Sequence, residues 1–328
     1  NPQTGDKSAP APAVPGIFTT QSVDAPTLPP IEDSYAFGMA APASPFRIWA
    51  DFAYGQAEDT WNTDGDRQEI SIAGTDGDIV SKRVHVGAEA GLPVGLFGFG
   101  LSAGAQLSVA QNTFQRGADS GGFITDNLTS DWGMQAVKFY GLAQAGPIGI
   151  HGGYHLDLGS ETEFATTGLP TNLSNSDGRD AFFVGADFDY PSPVVRLFGG
   201  VDYFKLYGGG TNTPGTPEDE SARTGDDLLS AMFGAGFRFS VFELGAALQI
   251  QARYSQPVVS NIGTQPGIGG SLATIAPYLR ISPPMIPASI FVKGAVQEEY
   301  TDFGYGIGGS NTPRPTMGFT AGLTYGFQ

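Results

Sequence analysis

From residue 45 to the end of the chain, short stretches of apolar–polar alternation recur twelve times, and the gaps between them are by turns short and long. Alternation with a period of two marks a half-buried β-strand. The short gaps fall near Gly91–Gly95, Gly146–Ile148, Pro191–Pro193, Ser240–Phe242 and Pro283–Pro287, where the turn residues Gly, Pro and Ser gather. The long gaps cover approximately 56–79, 112–130, 159–179, 208–226, 256–270 and 301–314 and are filled with Gly, Asn, Thr, Asp and Pro. Strands joined in this way run up and down in antiparallel order. The resulting sheet has one trimmed rim and one elaborated rim. An even number of strands returns both ends of the sheet to the trimmed rim.

One face of every strand is more apolar than the other. Phe46, Ile48, Ala50, Phe52 and Tyr54 share a face in the first, opposite Arg47, Trp49, Asp51 and Ala53. Met317, Phe319, Ala321, Leu323, Tyr325 and Phe327 share one in the last, opposite Thr320, Gly322 and Thr324. A soluble β-sandwich also alternates. Here the apolar face repeats in all twelve strands, and most strands reach nine residues or more, enough to cross a bilayer at the tilt of a barrel. Aromatics gather near strand ends, among them Tyr54, Phe97, Tyr190, Tyr203, Phe239, Tyr254, Tyr300 and Phe327. Interfacial girdles have that placement. The expected fold is therefore all-β: a closed, 12-stranded, antiparallel, transmembrane up-and-down barrel over residues 45–328.

Composition agrees. Gly numbers 48, Phe and Tyr together 35, and charged residues make up only 15% of the chain. Soluble domains carry about a quarter charged residues. No run approaches the ~20 consecutive apolar residues of a transmembrane helix. With no cysteine there is no disulfide, zinc-thiolate site or lipid-bearing Cys. A net charge of −17 without a basic stripe argues against nucleic acid as a partner. The chain begins at Asn1 without a leader-like segment and reads as a mature, processed one. Residues 1–44 contain Ser8-Ala9-Pro10-Ala11-Pro12-Ala13-Val14-Pro15 and further prolines at 26, 29, 30 and 42, which preclude a sheet. They read as a disordered or extended, Pro-rich tail on the periplasmic side. A flexible linker, a strap docked on a partner and a plug entering the lumen are the uses open to it.

The inward face holds the chemistry. Eight of the sixteen Lys and Arg residues fall on inward positions: Arg47, Arg83, Lys138, Arg196, Arg238, Arg253, Arg280 and Lys293. Seven acids join them: Asp51, Glu89, Asp157, Asp187, Asp189, Asp202 and Glu243. His85, His151, His155, Gln249 and Gln251 complete the expected lumen lining. Buried charges need partners or water, so this nearly balanced interior fits two mechanisms. Ladders of Arg and Asp line a wet channel and orient polar solutes, or they pair across the lumen and close it. Inward glycines (Gly98, Gly100, Gly104, Gly234, Gly236, Gly318, Gly322) are expected to leave space. Pro277 falls on the outward face of its strand, where it removes a ladder donor and is expected to mark a bulge.

The chain resembles bacterial outer-membrane β-barrel proteins of porin type, and the resemblance rests on the architecture of residues 45–328. In that class the final strand commonly ends in an aromatic; here Phe327 has that place in the alternation but Gln328 follows it. The resemblance implies an outer-membrane location, periplasmic termini and extracellular long loops. It implies a channel for passive diffusion of ions or small polar solutes, with the lipid bilayer as surroundings. The alternative is a closed structural barrel anchoring or joining an envelope assembly, through an envelope partner protein or as a homo-oligomer. Enzymatic chemistry finds little support: there is no Walker loop, HExxH or nucleophile elbow, and His155, which shares the inward face with Asp157, reads as a lumen hydrogen-bond partner. No cofactor is expected. Asn62-Thr63-Asp64-Gly65-Asp66 and Thr75-Asp76-Gly77-Asp78 resemble fragments of calcium loops. Asp64, Asp66, Asp76 and Asp78 are thus weak Ca²⁺ candidates that lack the full twelve-residue pattern.

Overall fold

The structure is a computed structural model. It describes residues 46–327, less 58, 62–66, 70, 73–74, 97–98, 119–121, 123–125, 160–162, 165–169, 173–179, 208–225, 255–257, 261–262, 266–268, 284 and 302–315. The tail 1–44, Asp64, Asp66, Phe97 and Gly98 lie outside the described residues, as do large parts of the expected long loops.

Twelve strands form the wall: β1 (Phe46–Ala57), β2 (Thr75–Leu96), β3 (Phe99–Arg116), β4 (Gly133–Ala145), β5 (Ile148–Asp157), β6 (Asp180–Pro191), β7 (Val195–Tyr207), β8 (Asp226–Phe239), β9 (Phe242–Tyr254), β10 (Gly269–Ile281), β11 (Ala288–Thr301) and β12 (Thr316–Phe327). Each pairs antiparallel with its neighbours in sequence, and β12 returns to pair with β1 through Phe46↔Phe327 to Gln56↔Met317. Closure leaves no edge strand in the wall, which is the condition for a sheet in lipid. The all-β twelve-stranded barrel read from the alternation is the fold observed.

Burial follows the same parity. Arg47, Trp49, Asp51 and Ala53 are buried, whereas Phe46 and Ile48 are exposed and Phe52 and Tyr54 half-buried. Phe233, Phe237, Leu244, Ile275 and Ile290 each stand more than half exposed on the outer face. An apolar surface that runs round the whole cylinder suits lipid. Aromatics border it. The Phe46 and Phe327 rings lie tilted with centres 5.4 Å apart, and Phe239 stacks near Phe242 at 5.5 Å, on the short-turn rim. Towards the long-loop rim, the Tyr203 hydroxyl donates to Asp227 at 2.7 Å and Lys205 pairs with the same carboxylate at 2.8 Å. Tyr154 donates to Asp180 at 3.1 Å in the same belt.

Three local expectations change. The first short turn does not lie at Gly91–Gly95. The β2–β3 ladder shifts register there and continues to Leu96↔Phe99, so the connection is residues 97–98. Pro277 does not mark a bulge. Ile275↔Val296 and Tyr278↔Lys293 are three residues apart on both strands, so the missing ladder bond costs no register, and the shift on this pair sits at Ser271/Leu272. β4, the least regular strand in sequence, does carry a bulge. Val109 faces Met134 and Ser108 faces Ala136, leaving Gln135 extra and both Gln135 and Ala136 buried. Strands β2 and β3 also run further into the first two long gaps than their alternation indicates, from Thr75 and to Arg116.

Candidate functional site

The inner wall collects most of the chemistry-bearing residues expected there. Two constellations near the short-turn rim share one plan, six strands apart. In the first, Arg47 on β1 donates to Glu89 on β2 at 2.6 Å. Tyr140 on β4 donates to the same carboxylate oxygen at 2.9 Å, and Ser102 on β3 to its other oxygen at 2.9 Å. The Arg47 guanidinium lies 5.7 Å from the centre of the Trp49 ring. In the second, Arg196 on β7 grips Asp189 on β6 with bonds of 2.9, 3.1 and 3.1 Å and reaches Glu243 on β9 at 3.3 Å. Tyr278 on β10 donates to Glu243 at 2.8 Å and Arg238 on β8 at 2.6 Å. The Arg196 guanidinium lies 4.8 Å from the Phe198 ring. Buried charges with this many partners are compensated, and a cation over a ring adds to the compensation.

At mid-height, the His85 ring Nδ1 is 2.7 Å from Asp51. His151 sits between two carboxylates, with Nδ1 3.2 Å from Asp187 and Nε2 2.5 Å from Asp202. Lys138 places its ammonium 4.7 Å from the centre of Phe183. Gln249 donates to Ser230 at 2.9 Å. Arg83, His155 and Lys293 are buried, and Arg280 and Asp157 half-buried. The Asp157 amide donates to Asp180 at 2.8 Å, and His155 faces Lys138 and Ala181 across the ladder. The Gln251 and Arg253 side chains lie outside the described residues. Asp76 and Asp78 stand towards the long-loop rim, where Asp78 accepts a bond from Gln56 at 3.0 Å. Among the described residues no three His, Asp or Glu groups converge on a metal position.

Four of the inward glycines do not leave the space expected of them, whereas a Cβ at Gly100 would meet nothing nearer than a backbone oxygen at 4.0 Å. A Cβ at Gly104 would lie on the Tyr140 ring, one at Gly234 on Phe198, one at Gly236 on the Tyr278 hydroxyl and one at Gly322 on Phe291. Gly87 takes Trp49 in the same way, and a Cβ at Gly153 would meet the Phe139 carbonyl first and then the Phe183 ring. At Gly87, Gly104, Gly234 and Gly322 the missing Cβ makes a seat for a ring, with Phe183 also close to Gly153. Three seats carry a cation on top of the ring: Arg47 over Trp49, Lys138 over Phe183 and Arg196 over Phe198. The interior is thus less polar than the list of charged residues indicates. Trp49, Tyr140, Leu142, Phe183 and Phe204 form one buried apolar cluster, and Phe198, Met232 and Tyr278 belong to another. Phe204 and Phe291 were legible only as extensions of the inward parity, two residues beyond Asp202 and two before Lys293, and buried Phe114 falls in the span read as the second long gap.

A closed antiparallel cylinder with an apolar exterior and a charged interior defines an outer-membrane β-barrel of porin-like architecture. One known structure agrees on the fold, and a second is similar at a lower score. An outer membrane channel from Pseudomonas putida F1 matches 88% of this chain and 97% of its own at a TM-score of 0.56 and 7% identity. The β domain of the Bordetella autotransporter BrkA matches 87% of this chain and all of its own, at a TM-score of 0.48 and 12% identity. No protein-family model and no curated protein sequence matches the chain.

Proposed function

We propose that the protein is an outer-membrane channel for ions or small polar solutes, its short-turn rim periplasmic and its long loops outside. The observation that carries this reading is the wall-lying geometry of the bulky inward side chains. Rings seated on Gly87, Gly104, Gly153 and Gly234 keep their volume against the wall, and Arg47 and Arg196, stacked on two of them, are held by acids of the wall. A barrel built to be solid would send such groups across the centre. Acid and base side by side on the wall orient polar solutes and ions in transit. The fold alone does not select this function, because closed barrels serve several. The test is flux. Proteoliposomes holding the barrel without residues 1–44 should swell in isosmotic small polar solutes, and swelling no faster than empty vesicles would refute the channel.

A second reading has its own observation. Inward side chains such as Arg196, Phe198 and Asp202 are covered to within 3% of full burial. That cover favours a filled barrel serving as an anchor in an envelope assembly. A stoichiometric partner retained through purification, and lost on deleting residues 1–44, is the result this reading requires.

A further inference from the structure

Six inward positions on three adjacent strands form a checkerboard. One ladder row holds His151 on β5, Gly185 on β6 and Asp202 on β7. The next inward row holds Gly149, Asp187 and Gly200 on the same strands. Polar residues and glycines thus alternate both along the strands and across them. The glycines let the polar groups meet. A Cβ at Gly185 would lie on the Asp202 carboxylate and on His151 Nε2, and one at Gly149 on Asp187 Oδ1. His151 and Asp202 therefore bond over the middle strand, at 2.5 Å, and Asp187 meets the other ring nitrogen at 3.2 Å.

Both ring nitrogens of His151 face carboxylate oxygens. A neutral imidazole has one N–H and one lone pair, so it donates to only one of them. Its other nitrogen would set a lone pair against a carboxylate. The imidazolium donates at both, and both bonds are then charge-assisted. In that form the Asp187–His151–Asp202 trio carries a net charge of −1. Transfer of one ring proton to water leaves −2 on the wall. The ladder neighbours of His151, Leu142 on β4 and Gly185 on β6, are uncharged. Lys138 on β4 acts electrostatically on Asp202, and Asp189 on β6 acts on Asp187. Asp189 is itself held by Arg196 on β7. His155 stands four residues further along β5. Asp187 keeps the most side-chain exposure of the trio, 9% against 1% for His151 and 3% for Asp202, and is the member that presents the charge to the bore.

We infer that the Asp187–His151–Asp202 trio sets the ion selectivity of the bore through one proton shared by an imidazole and two carboxylates. With the proton gone, the added negative charge draws cations and repels anions. This inference rests on the channel reading for its effect, whereas the proton is measurable without it. The chain has three histidines, so nitrogen-15 spectra of the histidine-labelled full chain are simple to assign. At pH 7 the resonances lost in His151→Gln should be those of a ring protonated on both nitrogens. A bare nitrogen on that ring would overturn the inference. Should His151→Gln not give the heat-modifiable gel mobility of a folded barrel, His85→Gln and His155→Gln assign the remaining ring by elimination. In a planar bilayer under a KCl gradient, the permeability ratio of K⁺ to Cl⁻ should rise about twofold or more between pH 5 and pH 9. His151→Gln should abolish the rise, and Asp187→Asn should lower the ratio at every pH. Conductance steps with a ratio indifferent to pH, or with the rise intact in His151→Gln, would overturn the selectivity role. Silence in the bilayer with His151 doubly protonated removes the channel and keeps the proton site.

Discussion

The two clamps at the short-turn rim are built from the same parts with different redundancy. Arg47 and Arg196 each occupy the second position of a strand, each covers an aromatic two residues on, and each pairs with a glutamate that also accepts from a tyrosine. The tyrosines, Tyr140 and Tyr278, stand on β4 and β10, six strands apart like the arginines. On the β1–β4 side one acid is shared by an arginine, a tyrosine and a serine. On the β7–β10 side Arg196 serves two acids, and Asp189 takes all three of its side-chain bonds from that guanidinium. The comparison shows where compensation is concentrated. Glu89 would keep two hydroxyl donors without Arg47, whereas Asp189 would be stranded without Arg196.

That asymmetry can be broken at several levels. Arg196→Met should have the largest effect. It uncouples buried Asp189 and weakens Glu243, with an expected loss of about 3–5 kcal/mol, read from urea unfolding of the barrel in detergent or lipid. Arg47→Met should cost roughly half as much, because the hydroxyls of Tyr140 and Ser102 remain on Glu89. Equal losses would show that the two clamps are not distinguished by their acids. Next come the glycine seats. Gly234→Ala and Gly87→Ala each place a methyl on a seated ring, and overpacking of this kind costs about 1–3 kcal/mol. An unchanged unfolding midpoint would mean that the rings are free to leave the wall. Smallest should be Tyr278→Phe and Tyr140→Phe, each removing one hydrogen bond from a carboxylate that keeps its other donors, about 0.5–1.5 kcal/mol. Tyr278→Phe should sit at the lower end, since Arg238 and Arg196 still hold Glu243.

Much of this wall was legible in the sequence, for a simple reason. In a closed sheet with lipid outside, one residue of slip would turn every charge into the membrane, so parity is enforced along all twelve strands. Arg47, Asp51, His85 and Glu89 are inward because Ile48, Val86 and Ala88 must be outward. What parity cannot show is how far round the wall a side chain leans. Gly104 and Tyr140 sit on different strands, and only the register Gly104↔Tyr140 reveals that one seats the other. Read singly, a glycine is a gap and a phenylalanine such as Phe204 is a candidate for lipid. The pairing of Arg196 with Glu243, two strands away, is hidden for the same reason. Local exceptions also escape the alternation. Pro277 keeps register although a proline interrupts its ladder, and the register shift of the β2–β3 tip at Gly91/Gly95 reads in sequence as a turn.

The channel proposal requires a bore that the wall side chains line without filling. Its most direct test is single-channel recording from the purified barrel, residues 45–328, in a planar bilayer. Discrete, reproducible conductance steps are the predicted result. A preparation that shows the heat-modifiable mobility of a folded barrel, and yet leaves the bilayer silent, would contradict it.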